Sequence, residues 1–283
     1  MNRGSALACL ALALAPAVRA EPARKPLWEF GLGVGALGFA DYRGADTVSV
    51  LPVPVPYLVY RGKFLQADRD GIRGLFLDSE RVEVNLSLNA TTPVRSSNRG
   101  VRAGMPSLRP TVEIGPSVDL HLWHAPQSHY RLDVRLPVRS AFTLEAAPRR
   151  VGWLFTPTLN LDISDPGGHK GWNLGVLLGP IFAERRYHDY FYTVRPEFSS
   201  ALRPAYRAAG GYAGTQFIAS ASKRFEQRWF GTFLRYDTLA GAGFADSPLV
   251  HSRHYWTAGI GIAWMIGRSS RWVDVDAHDE RVR

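Results

Sequence analysis

The stretch ERVEVNLSLNA, Glu80 to Ala90, puts Val82, Val84, Leu86, Leu88 and Ala90 at every even position and Arg81, Glu83, Asn85, Ser87 and Asn89 at every odd one. Side chains alternate sides along an extended chain, so a period of two sustained this long describes one strand with an apolar face and a fully polar face. The fold turns on what each face meets.

The same pattern recurs along the chain. Trp28, Phe30, Leu32, Val34 and Ala36 oppose Glu29, Gly31, Gly33 and Gly35; Val112, Ile114, Pro116, Val118, Leu120 and Leu122 oppose Glu113, Gly115, Ser117, Asp119 and His121. Tyr130, Leu132, Val134, Leu136 and Val138 oppose Arg131, Asp133, Arg135 and Arg139, and further runs lie near 151–163, 171–183, 211–225, 228–239 and 254–266. Less regular runs at 48–61 and 62–77, the second a pair of short segments, bring the total to about twelve, and an even number suits a closed bacterial barrel. A soluble β-sandwich also alternates, but its strands average about five or six residues. Those here reach about ten to fourteen, enough to cross a bilayer at a tilt.

The connections alternate too. Longer ones fall at 41–47, 92–109, 140–150, 184–210 and 240–253, with tight turns APQS, SDPGG and EQ between them. Trp28, Tyr57, Trp123, Tyr130, Trp153, Trp172, Tyr212, Trp229, Tyr255 and Trp256 lie near strand ends, where interfacial girdles form. The fold class is therefore all-β: a closed antiparallel transmembrane β-barrel with short periplasmic turns and long extracellular loops. Val82, Val84, Leu86 and Leu88 face lipid. Arg81, Glu83, Asn85 and Asn89 face a lumen that also receives Glu113, Asp119, Arg131, Asp133, Arg135, Arg235 and Asp237, whose mixed signs predict cross-lumen ion pairs and a filled interior.

The N-terminus fits export to a Gram-negative outer membrane. A short basic start, the apolar run SALACLALALAPA and small residues at Val18 and Ala20 read as a signal peptide over 1–20, too short to span a membrane. The barrel is expected over 21–266 and a polar C-terminal extension over 267–283. The single cysteine, Cys9, would leave with the signal, so the exported chain would carry no thiol or disulfide. Export also removes Arg3 and Arg19 and lowers the formal charge from +9 to +7. That charge is dispersed without a Lys-rich run, which argues against nucleic acid and for anionic lipopolysaccharide or murein as surroundings.

Candidate chemistry is sparse. His121 with His124, and His251 with His254, are possible metal pairs without a third ligand at an established spacing. Asp246, Ser247 and His251 hold triad residue types in one loop, but with no nucleophile elbow. Gly171, Gly175 and Gly179 lack the Lys-Ser/Thr of a phosphate loop. No catalytic, cofactor or metal residue is assigned. Pro52, Pro54 and Pro56 share one side of a strand and remove ladder donors, which predicts a bend or a weakly paired edge. Tyr187, Tyr190, Phe191, Tyr192 and Tyr206 are expected to pack together as a lid over the barrel mouth, with binding of a partner as the alternative.

Five stretches carry a resemblance: DYRG at Asp41–Gly44, LPVPVPYLVYRG at Leu51–Gly62, EIGP at Glu113–Pro116, YHDYFYTVRPEFSSALRPAYRAAGGY at Tyr187–Tyr212 and DSPLV at Asp246–Val250. In this order they resemble the MipA/OmpV family, outer-membrane barrels named for the MltA-interacting protein. The motif positions are Asp41, Tyr42, Gly44, Pro54, Tyr57, Tyr60, Gly115, Pro116, Tyr190, Tyr192, Pro204, Tyr206, Gly211, Ser247 and Pro248. The resemblance implies a non-enzymatic scaffold in peptidoglycan biosynthesis, embedded in outer-membrane lipid and lipopolysaccharide. Its implied partners are a lytic transglycosylase and a murein synthase. A solute channel and a lipid-modifying barrel enzyme are the alternatives. One departure is the polar chain past Ile266, where barrels of this kind commonly end on an aromatic residue.

Overall fold

The computed structural model describes residues 23–68, 71–91, 101–124 and 129–275. The expected signal segment, the turn at 125–128 and residues 276–283 of the expected extension lie outside them, as does the side chain of His124. A short strand β1 (Ala23–Pro26) precedes β2 (Trp28–Ala40), β3 (Val48–Arg61), β4 (Leu65–Asp68), β5 (Gly71–Asp78), β6 (Val82–Ala90), β7 (Thr111–His124) and β8 (Tyr130–Thr143). Then come β9 (Arg150–Phe155), β10 (Thr158–Ser164), β11 (Trp172–Ala183), helix α1 (Arg185–Tyr192), β12 (Gly211–Arg224), β13 (Arg228–Thr238), β14 (His254–Arg268) and β15 (Trp272–Val275).

Strands β2 to β14 form one antiparallel sheet, and β14 returns to β2 with Ala263 opposite Gly33 and Gly261 opposite Gly35. The ring is thereby closed, as backbone groups in hydrocarbon require. β8 pairs with β10 over Tyr130–Arg135 and with β9 over Val138–Phe142. β9 and β10 are thus two halves of one wall, which leaves the twelve walls expected. The run expected to be continuous over 151–163 breaks at Thr156-Pro157, where proline has no N–H for the ladder. The loop expected at 140–150 is shorter than read, since β8 continues to Thr143.

Burial is inverted relative to a water-soluble protein. On β6, Asn85 is 1% exposed and Glu83 7%, while Leu88 is 43% exposed. On β2, Val34 is 63% exposed. The inner polar side chains satisfy one another, Asn85 donating to Glu83 and Asp119, whereas an apolar belt exposed this widely is favourable only against lipid, so the faces of the opening stretch are those read from its alternation. The girdle divides by the face each residue takes on its own strand, and Trp123 reaches the outer face past the irregularity that follows His121. Trp28, Trp123, Tyr130, Trp153 and Trp256 are exposed on the lipid side. Tyr57 and Trp229 turn inward, where their rings stand 5.9 Å apart, and Tyr255 is buried. For these three, odd-numbered position on the strand overrides proximity to its end.

β3 pairs with β2 from Val48 to Tyr60, but with β4 only through Tyr60 and Arg61 among the described residues. The Arg61 N–H donates to Leu27 on the β2 side. Odd residues of β3 therefore point their N–H groups to β2, and Pro52, Pro54 and Pro56 sit where their missing donors face the sparsely paired edge. The proline-spaced segment keeps an unbroken register with β2 and is one-sided in its pairing. At the terminal end of the barrel, β1 and β15 form a separate two-stranded sheet, Ala23 opposite Val275 and Pro26 opposite Trp272.

Candidate functional site

The outer loops converge on one apolar core. Phe244, Leu239 and Leu249 are fully buried, and Tyr42, Ala45, Leu108, Tyr192 and Ala208 join the first two in one cluster, so the loops after β2, β6, α1 and β13 all contribute. Phe244 stacks flat on Tyr192 with centroids 3.6 Å apart and meets His188 edge-on at 4.6 Å. The region read as an uninterrupted loop contains α1. Spacing of four places His188 and Tyr192 on its buried face, and Arg185 pairs with Asp189 at 3.7 Å on its outer side.

The DYRG motif is the keystone of this lid. Asp41 accepts from Thr47 Oγ1 at 2.9 Å and Ser49 Oγ at 2.6 Å, and Tyr42 donates to the Leu249 carbonyl at 2.6 Å. Gly44 has φ +102°, a conformation unfavourable to other residues, and its carbonyl accepts the N–H groups of His251 and Ser252. Arg43 reaches down: its guanidinium lies 3.3 Å from Asp237 and donates to the Tyr255 hydroxyl at 2.8 Å, while its carbonyl accepts from Tyr192 at 2.9 Å. Nearly across the ring, Tyr187 donates to Glu113 on β7 at 3.3 Å. Burial, with Glu113 beside it, holds the Tyr187 phenol well above the usual tyrosine range, so it remains a donor. The lid is braced on opposing walls and spans the mouth.

The five aromatic residues expected to pack as a lid do so: Tyr190, Phe191, Tyr192 and Tyr206 sit in or against the main cluster and Tyr187 against a neighbouring one. Of the motif positions, Asp41, Tyr42, Gly44, Tyr190, Tyr192, Pro204, Tyr206, Ser247 and Pro248 lie in the lid, and Gly211 begins β12 beneath it. Ser247 donates to the Tyr192 carbonyl at 2.7 Å. Pro54, Tyr57 and Tyr60 lie on β3, and Gly115 and Pro116 on β7, apart from the lid.

His188 gives the lid a pH dependence. Its Nδ1 bonds the Ala209 carbonyl at 2.6 Å, and burial, aided by the charge of Arg43, depresses its pKa against the opposing pull of Asp189 and that bond. The folded lid holds the ring neutral, whereas a released lid protonates it below about pH 6.5. This contribution is therefore complete above that pH and is lost as pH falls through the depressed folded value. Protease cleavage within 184–210 should accelerate from pH 8 to pH 5, and His188→Gln should flatten that dependence.

Beneath the lid the interior is divided. On β5 to β10 it is filled: Arg131 pairs with Asp133 at 2.9 Å and Asp162 at 3.2 Å, Arg73 with Glu83 at 3.2 Å, and Asn85 donates to Glu83 and Asp119. On the other side lies a cavity of about 1750 Å³ reaching Lys25, Asp165, Glu226 and Trp272 at the periplasmic end. Tyr57, Trp229, Phe233 and Met265 line it on one side, Asn173 and Ser220 on the other. The expectation of an interior filled by ion pairs thus holds for β5 to β10, while on the cavity side Glu29 pairs with Arg61 and Arg224, each at 2.9 Å, without filling the space. Across the remainder, glycines and flat-lying aromatics leave room that charge counting did not register.

The remaining chemical candidates are dispersed. His121 Nδ1 bonds Asp133 at 2.9 Å, His251 bonds Asp46 at 3.0 Å and His254 bonds the Tyr236 hydroxyl at 2.7 Å. With Ser247 on Tyr192, Asp246 on Arg253 and His251 on Asp46, the three triad residue types do not form a relay. Sequence reading missed Arg43, His188 and Phe244 as organising residues. A lone large aromatic in the small-residue loop AGAGFADS was the available signal for Phe244.

The family model described as MltA-interacting protein MipA matches residues 32–266. Outer membrane protein Omp26La of Vibrio anguillarum is 24% identical over 209 residues, covering 72% of this chain and 75% of that protein. Outer membrane protein OmpV of Vibrio cholerae serotype O1 is 23% identical over 212 residues with the same coverage, 72% and 75%. Among solved structures, the outer membrane protein OprG from Pseudomonas aeruginosa aligns over 87% of this chain and 94% of its own, at 8% identity and a TM-score of 0.23.

Proposed function

Because the chain belongs to the MipA family of outer-membrane barrels, we propose that it is a non-conducting scaffold whose periplasmic end gathers a lytic transglycosylase and a murein synthase. The observation that carries this reading is the asymmetry of the two ends. The outer mouth is sealed by a core in which Phe244, Leu239 and Leu249 are fully buried. The inner end presents the β1–β15 sheet, in which neither strand pairs with a third strand among the described residues and exposed Arg24 and Asp274 pair at 3.4 Å. A two-stranded sheet with no third strand beside it is a ready template for a partner chain.

Photo-crosslinkers placed at Arg24 and Asp274 in growing cells test the proposal. They should capture a murein hydrolase or synthase that a crosslinker on the outer lid does not. Capture of neither class at the inner positions would overturn it. The large inner cavity favours a second reading, a solute channel. Reconstituted protein should leave liposomes impermeable to small sugars, and swelling at a porin-like rate would replace the scaffold with the channel.

A further inference from the structure

A second feature stands on the outer flank, where the β8–β9 hairpin faces α1 and the segment after it. Between them is a groove of about 670 Å³ lined by Arg149, Arg150, Arg186, Arg195 and Arg207, with Asp189 as the one carboxylate in its lining. We infer that this groove binds the phosphorylated sugar headgroup of an outer-leaflet glycolipid.

The charge balance is the first argument. Arg149, Arg150 and Arg195 pair with Glu145, Glu184 and Glu197, at 2.9, 2.6 and 3.8 Å. These glutamates stand outside the lining. Asp189 is already engaged, by Arg185 at 3.7 Å and Thr193 Oγ1 at 2.7 Å. Arg186 and Arg207 are exposed and make no ion pair among the described residues. Guanidinium groups crowded around one concavity repel one another unless an anion lies between them, and their planar forks match phosphate oxygens two at a time.

Depth and floor choose the anion's source. Trp153, three residues past the start of β9 and opposite Ser140 on β8, is 43% exposed, and Leu144, in the turn that joins the two strands, is 57% exposed. An exposed tryptophan near the outer end of a strand marks the edge of the hydrocarbon, so Arg149 and Arg150, nearer the turn, stand at headgroup depth. Val151, Val194, Pro196 and Tyr190 supply an apolar floor. A free inorganic anion gains nothing from that floor, whereas a sugar ring carrying a phosphate can lie on it and present its charge to the rim. This site is independent of the scaffold reading, because it lies on the opposite end of the barrel from β1 and β15.

The test uses the full chain in neutral detergent, titrated with bis-phosphorylated lipid A, with the same glycolipid stripped of phosphate, and with inorganic pyrophosphate. The phosphorylated lipid should bind, and the stripped lipid and pyrophosphate should each bind at least about tenfold more weakly. The double variant Arg186→Ala/Arg207→Ala, whose side chains support no described ion pair, should lose about tenfold in affinity and keep the heat-modifiable gel mobility of a folded barrel. For the unaltered chain, affinity should fall as salt is raised. Equal binding of the stripped lipid, pyrophosphate binding as tight as lipid A, an unchanged double variant or salt-independent binding would each overturn the inference.

Discussion

Phe244→Ala should unseat the lid and leave the barrel standing. The ring is fully buried, stacked at 3.6 Å on Tyr192 and edge-on to His188, so its removal deletes the common partner of two α1 side chains. Truncating a buried phenylalanine costs about 3–5 kcal/mol. That exceeds what the remaining loop contacts supply singly, since an aromatic pair adds about 0.5–1.5 kcal/mol and a neutral hydrogen bond a net of about 1 kcal/mol. The twelve walls share none of this core except at their outer ends, through residues such as Ala213 and Tyr255. The variant should therefore keep its heat-modifiable mobility while trypsin cleaves 184–210 at least about tenfold faster, the factor that about 1.4 kcal/mol of local opening produces. Liposomes containing it should also admit sugars that the unaltered protein excludes. If cleavage and permeability both stay at their original levels, Phe244 does not hold the mouth closed.

The barrel wall was legible because lipid and lumen impose opposite chemistry on neighbouring residues, which leaves a period of two in the sequence. Val82 to Ala90 shows it without exception. One departure from that rule, the break between β9 and β10, traces to Pro157. Tyr57, Trp229 and Tyr255 were misplaced because closeness to a strand end was weighed above parity. The lid left no comparable trace. Its core joins segments that lie about 200 residues apart, such as Tyr42 and Leu249, and no local period records a contact of that separation. The motif stretches located the lid's parts, yet the inward reach of Arg43 to Asp237 and Tyr255 depends on where the loop after β2 happens to cross the mouth. Arg43 stood within a quoted motif and still escaped notice.

The seam between β14 and β2 gives the sharpest test of the wall itself. A Cβ added at Gly33 would stand 1.8 Å from the Ile262 carbonyl oxygen and 2.5 Å from Ala263 Cα, whereas at Gly38, on the same strand, the nearest atom is 3.8 Å away. The first clash is with backbone, so no rotamer relieves it, and neighbouring strands sit at a nearly fixed spacing of about 4.8 Å. To admit the methyl group the seam must open, and each ladder bond lost there exposes an N–H and a C=O to hydrocarbon. Overpacking in a soluble core costs about 1–3 kcal/mol; here the cost should pass the upper end of that range because no water is available to satisfy the freed groups. Gly33→Ala should therefore abolish the heat-modifiable folded form, and Gly38→Ala, the identical chemical change, should fold with the yield of the parent. If both variants fold equally well and melt at the same temperature, the close strand approach at Gly33 is not what seals the ring.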